Sequence, residues 1–66
     1  MLGSRVKIVN DEDMEGILGE IGSVIDELDG ETVVVQFETP EIGWPFGDEE
    51  NCLYIKISHL EVVPES

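Results

Sequence analysis

A small antiparallel β-barrel of five short strands is the fold this sequence predicts. Three observations carry it. Arg5–Val9 and Cys52–Ile57 alternate apolar and polar residues with a period of two, and Glu31–Glu38 is dominated by β-branched residues. Gly16–Ile25 spaces glycines through an apolar, β-branched run, the pattern of a strand that bulges or bends. Clusters of turn residues separate these runs, and nothing in the chain supports a long α-helix.

The first strand places Val6 and Ile8 on one face and Arg5 and Lys7 on the other. Asn10–Asp13 follows as a polar loop of mutually repelling charges. Gly16–Ile25 is expected to be the second strand, bent near Gly19 or Gly22. Asp26–Gly30 then reads as a hairpin turn, because Asp29 and Gly30 both tolerate positive φ. In the third strand, Val33, Val35 and Phe37 are assigned to the core, and Thr32, Val34 and Gln36 to the opposite face.

Thr39–Asn51 contains Pro40, Gly43, Pro45 and Gly47, so it is expected to be a long loop between strands three and four. Loops of that length in small domains are usually functional or mobile. The fourth strand turns Leu53, Ile55 and Ile57 inward and Tyr54 and Lys56 outward. Ser58–Leu60 is expected to form a short helical turn before the last strand, Glu61–Val63. Closure into a barrel removes the free edges of so small a sheet.

The 66 residues make one domain spanning 1–66. A chain this short buries only about 60% of its unfolded surface. Its 41% apolar content suffices for one small core. The single Cys52 excludes an internal disulfide framework and, as a free thiol, fits a reducing, cytoplasmic setting. No signal peptide is recognised, and no apolar run approaches the ~18 residues of a membrane span.

Sixteen acidic residues against three basic ones leave a formal charge of −13. Three cations cannot build the stripe that phosphate binding requires, so direct nucleic-acid binding is excluded as an expectation. Attraction to anionic membranes is disfavoured by the same field. Solubility in an acidic proteome explains such a charge. Recognition of a basic surface, including one that normally holds nucleic acid, explains it as well.

The segments Gly3–Val9, Glu15–Ile21 and Val33–Phe37, with Ile57–Val63 at the end, resemble the SH3-like barrel group in its prokaryotic, KOW-like form. In that group a "G-x-R-V-x-V" segment opens the barrel, and "G-x-x-G-x-V" makes the bent second strand. The resemblance covers most of the chain outside Thr39–Asn51. Small barrels of bacteria and their phages carry a Gly-Trp-rich loop similar to Gly43–Gly47 before a strand similar to Cys52–Tyr54. The variable chain of ferredoxin–thioredoxin reductase is a more distant likeness, also a barrel that packs on a partner. KOW domains of ribosomal and transcription proteins bind RNA or polymerase and are normally basic, and this chain departs from them there. It also has too few aromatics to line a groove for proline-rich ligands as eukaryotic SH3 domains do.

Candidate site residues follow from the long loop. Trp44 and Phe46 flank Pro45, and exposed loop aromatics commonly anchor interfaces. The competing reading is that Trp44 folds back and caps the open end of the barrel. Asp48, Glu49 and Glu50 stand beside them, so the partner-binding set is Trp44, Phe46, Asp48, Glu49 and Glu50. Asp11, Asp13 and Glu15 superficially resemble a calcium loop, but the glycine and distant glutamate of such a loop are missing, which leaves a solvated acidic loop. The same holds for Asp26, Glu27, Asp29 and Glu31. Cys52 and His59 have no third ligand or orienting group, so neither a metal site, a cofactor nor catalysis is expected. The expected role is a non-enzymatic protein-interaction module for a partner with a basic surface. An acidic DNA mimic that competes for a nucleic-acid-binding protein is one alternative. A structural subunit of a larger assembly or homo-oligomer is the other.

Overall fold

A computed structural model describes residues 1–64. The described residues are all-β and form one antiparallel sheet of six strands. These are β1 (Arg5–Ile8), β2 (Ile21–Glu27), β3 (Thr32–Phe37), β4 (Trp44–Phe46), β5 (Glu49–Lys56) and β6 (Leu60–Val62), with a 3-10 turn at Ile57–His59. Their spatial order is β4-β5-β3-β2-β1-β6, so β4 and β6 are the edges. A flat sheet is one layer, about 10 Å thick. This molecule measures 26 × 25 × 23 Å, so the sheet curls over its own inner face.

That inner face is the core. Val6 and Ile8 of β1, Val24 of β2, Val33, Val35 and Phe37 of β3, and Leu53 and Ile55 of β5 form one buried cluster. Each fully buried Val or Ile contributes about 1.5–3 kcal/mol. Ile17, from the β1–β2 connection, joins the same cluster, and Met14, Ile42, Ile57 and Leu60 pack against it. The inward assignments for β1, β3 and β5 hold. Val34 departs from expectation: it faces outward in register with Tyr54 and Asp26, yet its exposure is 0%.

The second strand starts later than its sequence pattern predicts. Gly16 and Gly19 have φ of 93° and 85°, outside the extended range of regular strand, and they belong to turns. The turn docks on β1 through backbone bonds from Gly19 N–H to Ile8 C=O at 2.8 Å and from Ile8 N–H to Glu20 C=O at 2.9 Å. The bend lies at neither Gly19 nor Gly22. It is a bulge between Val24 and Asp26, where Ile25 is the extra residue opposite β3. Gly22 has a different task. A Cβ there would stand 2.6 Å from the Gln36 carbonyl oxygen and 2.7 Å from a Val35 methyl, so β2 and β3 meet over a position without a side chain.

Neither Asp29 nor Gly30 adopts positive φ. The β2–β3 turn is instead closed by the Asp29 carboxylate, whose Oδ1 accepts the N–H groups of Glu31 and Thr32, both at 2.7 Å. The helical turn before the last strand is present one residue earlier than expected, and Leu60 N–H closes it on Ile57 C=O. The long loop is the main correction. It contains β4, which makes six strands where five were expected.

The charge has a measurable consequence for stability. At 0.01 M salt the Debye length is ~30 Å, larger than the molecule, so the carboxylates of one protein repel one another across its full width. At 0.5 M the repulsion is confined to near neighbours. The Arg5–Glu38 ion pair, with N···O of 2.9 Å, weakens over the same range, but half-exposed pairs are worth only ~0–1 kcal/mol. The melting temperature therefore rises by about 5 °C or more between these salt concentrations. A melting temperature that falls with added salt, followed by circular dichroism, contradicts this account of the charge.

Candidate functional site

β5 is longer than the strand it pairs with. Cys52–Lys56 lies along β3, whereas Glu49–Asn51 continues beyond that ladder and pairs with β4. The β4–β5 hairpin thus overhangs the end of the sheet. Trp44 stands opposite Cys52 and Phe46 opposite Glu49, which leaves Glu50 and Asn51 facing the single Pro45. This second bulge sets Asn51 at φ of 62°, a left-handed conformation that Asn tolerates better than most residues. Pro45 is admissible in β4 because β4 is an edge, where a missing N–H breaks no ladder.

Gly43 makes the entry into β4 possible. Its φ is 84°, and a Cβ on it would lie 2.5 Å from the Cys52 carbonyl oxygen and 2.8 Å from the Cys52 amide nitrogen. The chain crosses directly over the Cys52 backbone before Trp44 turns outward. Glu41, with φ of 78°, lies in the same approach. Among the described residues, Glu41 and Asn51 are the two non-glycine residues with positive φ, and both belong to this hairpin and its approach.

The result is an open groove of 340 Å³ lined by Trp44, Pro45, Phe46, Cys52, Leu53 and Tyr54. Trp44 is 66% exposed and Tyr54 57% exposed, so Trp44 does not cap the core. Phe46, partly buried, meets Tyr54 at a ring distance of 6.1 Å and an interplanar angle of 81°. Edge-to-face geometry of that kind fixes the two rings relative to each other. Tyr54, an outward-facing strand residue, completes the aromatic set, so three of the four aromatics line one groove, contrary to the expectation that they are too few to do so. The contact of Tyr54 with Phe46 depends on β4, which the turn-rich sequence of 39–51 does not announce as a strand.

Asp48, Glu49 and Glu50 are all exposed at the hairpin. Glu49 is positioned from β3. The Gln36 side chain donates from Nε2 to Glu49 Oε2 at 2.8 Å and to the Glu50 carbonyl at 3.2 Å. Trp44, Phe46 and the three acids are therefore brought to one hairpin.

Cys52 forms the floor of the groove. Burial pushes its thiol above the ordinary value, and the Glu49 carboxylate adds to the shift. The thiol donates to the Glu50 carbonyl at 3.5 Å, which also favours the protonated form. A protonated, buried sulfur is a poor nucleophile. Native protein at pH 7.5 is expected to react with a maleimide at least about tenfold more slowly than the denatured chain. Equal rates would refute the protected thiol. The unfolded chain releases this proton near pH ~8.5 and the folded chain at higher pH. This thiol's stabilising contribution is therefore full below that pH and declines as pH rises above it.

His59 stands apart from Cys52 and meets the β1–β2 loop instead. Its Nδ1 lies 2.6 Å from Asp13 Oδ2, and its Nε2 lies 3.8 Å from Glu12 Oε2. The contact ties the acidic loop to the 3-10 turn. Among the described residues, no group of three or more His, Cys, Asp or Glu side chains is arranged to hold a metal ion. No described helix is long and apolar enough to cross a membrane. No protein-family model matches the chain, and neither a curated protein nor a solved structure matches it significantly.

Proposed function

We propose that this chain is a non-enzymatic protein-interaction module that docks on a basic protein surface through the β4–β5 hairpin. The observation that carries the reading is Trp44. A large aromatic side chain is held outward on a short strand, in one groove with Tyr54 and on the same hairpin as three exposed carboxylates. Aromatic residues of this kind supply most of the energy at protein interfaces. The surrounding negative field steers a basic partner and suppresses acidic ones. The positive φ of Glu41 and Asn51 adds support, since strained backbone persists where the surrounding structure maintains a particular presentation.

The same reading takes the curled sheet as an SH3-like barrel of the KOW-like kind, with β4 as an addition to the five-strand plan. The meander order of β1, β2, β3 and β5, and the 3-10 turn before β6, support it. Its setting is the cytoplasm of a bacterium, or of one infected by a phage that encodes the protein.

A DNA mimic requires carboxylates in a phosphate-like row. Here the 3-10 turn touches two acidic segments, Asp13 through His59 and the Glu31 backbone through Ile57, but no row of evenly spaced carboxylates is formed by these contacts. That reading rests on net charge alone. The structural-subunit reading is separated by sedimentation of the isolated protein.

A pull-down from host lysate, at low and at physiological salt, tests the interaction reading. Recovery of a basic protein that is lost with Trp44→Ala is the expected result. Recovery of no partner at either salt concentration overturns it.

A further inference from the structure

The groove beside Trp44 has a composition that narrows the chemistry of what it can hold. Its walls are the rings of Trp44, Phe46 and Tyr54 with Pro45, and its floor is Cys52 and Leu53. No lining residue is charged, and none carries a cation that would repel another. The ionised groups of the hairpin turn are Asp48, Glu49 and Glu50, all exposed, and the Glu49 carboxylate acts on Cys52 in the groove floor. Lys56 stands at the far end of β5, and Arg5 is engaged by Glu38 through two bonds, at 2.9 and 3.1 Å.

The rim charge acts on the groove itself. The Glu49 carboxylate contributes to holding the Cys52 thiol on the floor in its neutral form. A field that opposes a negative charge there favours a positive one. Glu49 is also oriented, because Gln36 Nε2 occupies part of one carboxylate oxygen at 2.8 Å. A carboxylate offers about four acceptor positions, so capacity remains for a further donor.

Resting on the interaction reading above, we propose that the groove takes an arginine side chain from a flexible segment of the basic partner. The guanidinium stacks on Trp44 or Tyr54, and its N–H groups reach the carboxylates of Glu49 and Glu50. Arginine fits this site better than lysine for three reasons. Its head is planar, so it lies flat on an aromatic face. It sheds water more easily than an ammonium. Its forked donors match a carboxylate in two bonds where lysine presents a point charge.

The test uses capped hexapeptides carrying two arginines, two lysines or two citrullines in the same glycine–serine background. Binding is read from the indole N–H resonance of Trp44 in isotope-labelled protein, which is unambiguous because the chain has one tryptophan. The arginine peptide is expected to bind at least about fivefold more tightly than the lysine peptide, with no saturable shift from the citrulline peptide. Glu49→Gln with Glu50→Gln should weaken the arginine peptide by about tenfold while the rest of the amide spectrum stays in place. Equal binding of arginine and lysine peptides overturns the proposal, and so does the absence of any shift with arginine. Lysozyme, as a folded basic surface, is the separating control. If it moves the Trp44 resonance and the arginine peptide does not, the guanidinium assignment falls and the broader interaction reading stands.

Discussion

Gly22→Val destabilises the protein by about 3 kcal/mol or more, a large share of what holds so small a domain folded. A Cβ at position 22 meets the Gln36 carbonyl oxygen at 2.6 Å and a Val35 methyl at 2.7 Å, and contacts below 3.0 Å force movement. The Val35 side chain is fully buried, so it has no free space to enter. The Gln36 carbonyl is backbone of the central strand, held between β2 and β5. The added methyls therefore push β2 off β3 at the centre of the sheet. Overpacking of a well-filled core costs about 1–3 kcal/mol, and more where backbone must move. A chain of this length is stable by only about 3–10 kcal/mol at ~0.05–0.15 kcal/mol per residue. Denaturant unfolding checks the expectation, and Gly22→Ala should fall between the two. A Gly22→Val protein as stable as the parent would mean that the β2–β3 approach is looser than described.

Trp44→Ala has the opposite profile: little effect on stability and a large effect on binding. The side chain is two-thirds exposed and lies outside the core cluster, so its removal changes stability by less than about 0.5 kcal/mol. At an interface the same truncation removes an aromatic anchor, with expected losses of about 2–4 kcal/mol, or roughly 30-fold and more in affinity. Calorimetric titration of the captured partner, beside a thermal melt of each protein, separates the two effects. Equal loss of stability and binding would make Trp44 a structural residue.

The sheet was legible where local pattern and final environment agree. Arg5–Ile8 alternates and is buried on alternate residues, and Leu53 and Ile55 face the core as their spacing predicts. Gly16–Glu20 misleads because its glycines and β-branched residues look like a bent strand, whereas Gly16 and Gly19 take turn conformations. β4 was hidden by its own chemistry. It has three residues with a proline at the centre, and it exists as a strand only because β5 extends past β3 to meet it. Val34 lies on the face that alternation assigns it, outside the core cluster, and is nonetheless fully buried, because alternation does not say what covers a face.

The candidate site was half legible. Trp44, Phe46 and the acids are conspicuous in a turn-rich segment, and the hairpin keeps them together. Tyr54 was out of reach because its contact with Phe46 depends on hairpin register. The His59–Asp13 contact spans 46 positions and leaves no local trace.

Hydrogen exchange of the protein, free and bound to its captured basic partner at physiological salt, tests the central claim most directly. The account predicts that protection on binding concentrates in Trp44–Tyr54, with the amides around Gln36 next, and leaves the acidic segments 11–15 and 29–31 unchanged. Protection centred on those two acidic segments, with Trp44–Tyr54 unaltered, would contradict it.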